Sequence, residues 1–123
     1  MPVWLAVTIG GGLGTLGRYG IGIWARSVWP GLPAATLIVN VFGGLVMGVL
    51  ASYAAARPEW SSAWRLGLMT GVLGGFTTFS AFSLETLSLW RDGATELALA
   101  NIGLNVILSL AACGLGLSLG RSL

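Results

Sequence analysis

Few residues of this 123-residue sequence are equipped for chemistry, and none for the common forms of catalysis. There is no histidine, a single cysteine and only four acids, Glu59, Glu85, Asp92 and Glu96. No nucleophile–base pair and no metal-ligand cluster can be assembled from that inventory, so the sequence does not read as an enzyme. What it holds instead is a small set of uncharged polar side chains set into apolar runs. Thr36 and Asn40 are four residues apart and share one face of a helix, as do Asn105 and Ser109, with Asn101 one turn earlier. Polar groups inside an apolar span are costly and mark an ion or substrate path by default. The same groups also serve simply to bond neighbouring helices together.

The run Gly74-Gly75-Phe76-Thr77-Thr78-Phe79-Ser80-Ala81-Phe82-Ser83 is the most informative. Two adjacent glycines followed by two β-branched threonines continue a helix poorly. The run therefore predicts that the third helix breaks here, against the alternative of a continuous, glycine-softened rod. A break at membrane depth survives only if it is buried in protein or lines a wet cavity. Main-chain carbonyls freed there are ligands for a desolvated cation, and half-helix N-termini favour anions. Phe79 and Phe82 share a face. A phenyl ring is positive at its edge, so edges turned toward a path attract a small anion without holding it as tightly as arginine would. Two phenylalanines at this spacing also fit ordinary packing.

Arg18 and Glu85 are the charges set well inside apolar runs. Arg18 either snorkels to the interface or makes a water-filled vestibule electropositive. Glu85 either pairs with an arginine or stands on an ion route. Cys113 lies deep in an apolar stretch, without the electropositive setting that a reactive thiolate needs.

The elements that must position these residues are membrane spans. Hydrophobic residues make up 55% of the chain and charged ones 8%, and mean hydropathy is +0.87. A soluble domain carries about 25% charged residues, so this chain lacks a water-facing surface. At about 20 residues per span, the sequence divides into four, over residues 3–24, 34–56, 64–90 and 97–120, in one all-α domain without internal repeats. Pro30-Gly31-Leu32-Pro33, Arg57-Pro58-Glu59 and Arg91-Asp92-Gly93 punctuate them. All six tryptophans fall near the expected ends, where indole favours the headgroup region. Gly67, Gly71 and Gly75, Gly44 and Gly48, and Gly116 and Gly120 recur every four residues, which lets helix backbones approach closely. No basic residue precedes the first apolar run, so a cleaved leader is not expected.

The six arginines are the only strong cations, for a net charge of +2. They are too scattered for nucleic-acid binding. They also give no clear orientation. Arg57, Arg65 and Arg121 would lie on one side, and Arg26 and Arg91, with Arg18 nearby, on the other. The expectation is insertion both ways round and pairing as an antiparallel homodimer, since four packed helices leave no room for both a core and a path.

Over nearly its whole length the sequence resembles the Fluc (CrcB) fluoride channel family. The resemblance rests on Gly11-Gly12-Leu13-Gly14-Thr15-Leu16-Gly17-Arg18-Tyr19, Thr36-Leu37-Ile38-Val39-Asn40, the run Gly74 to Glu85, and Asn105-Val106-Ile107-Leu108-Ser109. It implies a passive, fluoride-selective channel of a prokaryotic plasma or inner membrane, which lowers cytoplasmic fluoride and confers fluoride resistance. It further implies a dual-topology homodimer with two pores. By the same resemblance, the ring edges of Phe79 and Phe82 contact fluoride and Asn40 orients one of them. Thr36 and Ser109 match pore-side polar positions and Arg18 the vestibule charge; Ser83 and Asn105 are counted with the pore residues, and Glu85, from its place in the span, remains an ion-pair or ion-route candidate. The carbonyls of Gly74 and Thr77 from both subunits would hold a structural Na⁺ at the dimer centre. The sequence departs from the family pattern at Ala81, where a hydroxyl residue is usual, and at Asn105, where many members carry tyrosine.

Two competing readings fit less well. A proton-coupled exporter like the small multidrug-resistance transporters needs a carboxylate in mid-span one, where this chain has Arg18 and no acid. A membrane scaffold or holin-like lesion former would explain the glycines but not the grouped Thr-Thr-Phe-Ser and Asn40.

Overall fold

The computed structural model describes all residues from Met1 to Leu123. The chain is helical throughout and contains no strand. Helix α1 spans Val3–Val28 and α2 spans Ala34–Ala55. The third segment is composite, running from a short α3 (Ser62–Leu66) into a π-helical stretch, Gly67–Leu73, and then a single turn, α4 (Gly74–Phe76). After an interruption the chain resumes as α5 (Ser80–Arg91), and α6 spans Thr95–Ser122. The helix limits agree with the expected spans to within a few residues. The largest difference is α1, expected to end at residue 24 but helical to Val28, because nothing between Trp24 and Val28 stops a helix before Pro30.

Three of these segments, Ala34–Ala55, Ser62–Arg91 and Thr95–Ser122, are long and apolar enough to cross a membrane. Helix α1 is long enough, at about 1.5 Å per residue, but its many glycines, Trp4, Trp24 and Arg18 make it less apolar.

Turns follow the local chemistry. Gly31 and Gly93 each adopt φ +83°, a conformation other residues avoid, at the bends after α1 and α5. Ser61 caps α3 by accepting a hydrogen bond from the Trp64 amide.

The helices pack in two layers. The first joins α2 to α6, and the second sets α1 against the π-helical stretch and α4. Small residues decide both. A side chain at Gly48 would meet the Cys113 carbonyl of α6, and one at Gly116 would meet the Leu45 carbonyl of α2. In the other layer, Gly67, Gly71 and Gly75 lie on Ala6, Gly10 and Gly11 of α1. The four-residue spacing in the sequence is thus the contact line of each pair.

The interior is thin. Only 18 of 123 residues are buried, and the apolar core is Ala25, Val39, Ala54, Leu73, Phe82 and Ala98. Large apolar side chains such as Leu13, Leu16, Leu84, Ile107 and Leu110 are exposed on the outer surface. Trp4, Trp24, Trp29, Trp64 and Trp90 are exposed too, near helix ends. A surface this apolar must be covered by lipid or protein.

Candidate functional site

The helix interruption is the structural centre of the molecule. Leu73 still accepts both the amide and the hydroxyl of Thr77, so the helical turn persists to Phe76. Thr77 then turns extended, at φ −87° and ψ 160°. The break therefore falls at Thr77–Phe79, three residues beyond Gly74. Gly74 and Gly75 are helical because Gly75 is clamped on α1, where an added side chain would run into the Gly11 carbonyl.

Asn40 of α2 stabilises the break. Its Oδ1 accepts the Thr78 amide at 2.9 Å, and its Nδ2 donates to the Thr78 carbonyl at 3.0 Å. One carboxamide therefore satisfies both main-chain groups of the residue that leaves the helix. The second Nδ2 proton goes to Asn105 Oδ1 at 3.0 Å, so both donors of Asn40 are in use. Gly43, one turn on, carries no side chain where Thr77 Cγ2 needs the space. On the far side of the break, the Thr78 hydroxyl accepts the Ala81 amide and opens α5.

Two carbonyls gain nothing in exchange. Thr78 N–H, the donor Gly74 O would have had in a helix, is bound to Asn40. Ala81 N–H, the donor for Thr77 O, is bound to Thr78 Oγ1. Neither carbonyl receives another protein donor. The Gly75 carbonyl does, from Arg18 Nε at 3.1 Å. Arg18 thus ties α1 to the broken end of α4.

Beside the break lies an open groove of about 420 Å³, lined by Asn40, Thr77, Thr78, Phe79, Phe82, Asn105 and Ser109 among others. The rings of Phe79 and Phe82 are 5.4 Å apart and tilted by 52°. Their exposures differ sharply, 77% for Phe79 and 9% for Phe82. The Ser109 hydroxyl is buried without any hydrogen-bond partner, an arrangement that normally calls for a ligand or water. No three His, Cys, Asp or Glu side chains gather anywhere.

The groove brings together five of the seven expected pore residues. Thr36 is elsewhere. It is buried one turn before Asn40 and donates to Glu85 Oε1 at 2.7 Å. Glu85 Oε2 is buried and unpartnered, and Glu85 lines a second groove with Arg26, Ser88 and Asp92. Ser83 folds back, its hydroxyl donating to the Phe79 carbonyl. Thr86 had drawn no notice in the sequence. It is buried, donates to the Phe82 carbonyl at 2.7 Å and accepts from Asn101 Nδ2 at 2.9 Å. Its position four residues after Phe82 was the available signal.

With this geometry in hand, comparison with known proteins is informative. Residues 5–117 match the family described as CrcB-like protein, Camphor Resistance (CrcB). The chain belongs to this family. Among its relatives is the fluoride-specific ion channel FluC of Paracoccus denitrificans (strain Pd 1222), 49% identical over 97% of this chain and 94% of that protein. Proteins of the same name from Pseudomonas syringae pv. tomato (strain ATCC BAA-871 / DC3000) and Agrobacterium fabrum (strain C58 / ATCC 33970) are 48% and 45% identical. Each alignment covers 95% of this chain. As a member of this family with membrane-length helices, the chain is a multi-pass membrane protein.

Proposed function

We propose that this chain is a fluoride-specific channel, not an enzyme, and that it works as an antiparallel pair of copies in a prokaryotic plasma or inner membrane. Each copy would cross four times, with α1 as the first span, and the pair would carry two pores that drain fluoride from the cytoplasm. The observation that carries this reading is the interrupted third segment. Its aromatic pair and the orphan Ser109 hydroxyl face one groove, in a chain nearly half identical to proteins named as fluoride channels.

The chemistry is consistent with a small, strongly hydrated anion. Such an ion needs donors in place of water, held loosely enough to release it. Ser109 offers a free hydroxyl, while Phe79 and Phe82 offer ring edges. Asn40 acts indirectly, because both of its N–H groups are already engaged; its role is to hold the break and thereby the two rings.

Pairing is supported by what one copy leaves undone. The Gly74 and Thr77 carbonyls have no donor, and Phe79 is open to its surroundings. The two carbonyls suit a hard cation such as Na⁺, which takes main-chain oxygens. Two copies would supply four such oxygens, and a bound Na⁺ would contribute positive potential near an anion path. The even spread of arginines is consistent with insertion in both orientations.

Liposomes loaded with fluoride or with chloride and reconstituted with the purified protein test this reading. Rapid fluoride efflux, little chloride efflux and loss of flux in Phe82→Ile are expected. Equal passage of both ions, or none, rejects the assignment.

A further inference from the structure

Five polar groups on three helices form one directed hydrogen-bond chain. Asn40 Nδ2 donates to Asn105 Oδ1 at 3.0 Å. Asn105 Nδ2 donates to both the carbonyl and Oδ1 of Asn101, at 2.9 and 3.0 Å. Asn101 Nδ2 donates to Thr86 Oγ1 at 2.9 Å, and that hydroxyl donates to the Phe82 carbonyl at 2.7 Å. The chain starts at the residue clamping Thr78 and ends on the main chain of the buried phenylalanine. It leaves the third segment through α2, crosses α6 and returns four residues further along.

Each link points the same way, and the direction is forced. Flipping Asn40 or Asn105 would set oxygen against oxygen and nitrogen against nitrogen, and flipping Asn101 would set its Nδ2 against that of Asn105. Asn101, Asn105 and Thr86 are 4%, 5% and 8% exposed, so water cannot replace a lost partner. In such surroundings the bonds polarise one another and act as a unit. Asn101 and Thr86 do not line the groove. Their reach toward it is through Asn105 and Phe82.

We infer that Asn101 and Thr86 are positioning residues for the anion path, which lock the Asn40 carboxamide and the Phe82 main chain in one register. This rests on the channel reading above and adds two residues that touch no ion. Removing the Thr86 hydroxyl leaves the Asn101 amide without an acceptor and cuts the link to the Phe82 carbonyl, so the break and the aromatic pair lose their common reference.

The test uses the full-length protein in liposomes, with fluoride and chloride efflux measured separately. Thr86→Val, nearly equal in shape, is expected to slow fluoride efflux about tenfold, the effect of one buried hydrogen bond, and to lower the fluoride-to-chloride ratio. Thr86→Ser, which keeps the hydroxyl, restores both. Thr8→Val removes a comparable hydroxyl-to-carbonyl bond on exposed α1 and leaves flux unchanged. Should Thr86→Val not reconstitute, Asn101→Gln, which shifts the amide by one methylene, is read in the same way. Wild-type selectivity in Thr86→Val or Asn101→Gln overturns the inference, as does a loss of folded protein with an unaltered ratio in what remains. An unmodified chain that carries no fluoride instead rejects the channel reading itself.

Discussion

At the scale of single residues, the site depends on side chains that complete the main chain. Asn40 makes three hydrogen bonds, two of them to the amide and carbonyl of Thr78. Asn40→Leu, similar in size, would leave both part-buried main-chain groups of Thr78 unpaired, at no more than about 1–3 kcal/mol each. A fall in the thermal unfolding temperature of the reconstituted protein, together with loss of fluoride flux, is the expected outcome. Arg18 differs in kind, because one contact from its guanidinium Nε satisfies the Gly75 carbonyl. Lysine is a compact point charge without that planar fork. Arg18→Lys should therefore keep the local charge yet weaken the tie to α4, reducing fluoride efflux severalfold with a smaller effect on folding. Equal efflux from the two proteins would show that charge alone matters there.

At the scale of elements, the glycine lines set how close the helices come. At Gly116 an added methyl would meet the Leu45 carbonyl, so Gly116→Ala must push α6 away from α2. Overpacking of this kind costs about 1–3 kcal/mol, and a matching drop in stability, by melting in detergent, is expected. The same substitution at Gly114, where an added methyl meets nothing, should be nearly silent.

This scale was also the most legible in the sequence. Gly44/Gly48, Gly67/Gly71/Gly75 and Gly116/Gly120 identified the contact faces, because four-residue spacing maps directly onto one side of a helix. The residues of the break were visible as well, since Thr77–Phe79 lie inside the run Gly74 to Ser83, though nothing local singles them out within it. Gly-Gly permits a bend but does not impose one; the bend falls where Asn40, 38 residues away, offers a substitute for the helical bonds of Thr78. Side-chain partnerships were the illegible part. Thr36 shares a face with Asn40, yet its hydroxyl turns to Glu85. Thr86 carries nothing in the sequence that sets it apart from the other hydroxyl residues of its span. Which of several nearby acceptors a hydroxyl selects depends on helix rotation to within a fraction of a turn, and composition does not carry that information.

At the scale of the whole molecule, one copy is an incomplete object. Its buried set is small and its outer surface is apolar nearly throughout. An arginine balance this even should be easily tipped. Adding two lysines to the segment between α1 and α2 should bias insertion to one orientation. If opposed copies must pair, that variant alone would carry little fluoride. Co-expression with a variant biased the other way would restore transport. Full activity from the singly biased protein would indicate that parallel pairs or lone copies suffice.

The π-helical stretch Gly67–Leu73 has a bearing on how this architecture tolerates length changes. Its wider winding accommodates surplus backbone relative to an α-helix, commonly one residue. Deleting a single residue there, for example Thr70, should let the stretch relax to ordinary α-helical pitch rather than shorten the rod. A deletion in α4, which has no such slack, would instead turn Phe79 and Phe82 by about 100° relative to the glycine seam. The stretch therefore works as a length buffer, which keeps the aim of the aromatic pair independent of a residue gained or lost two turns upstream.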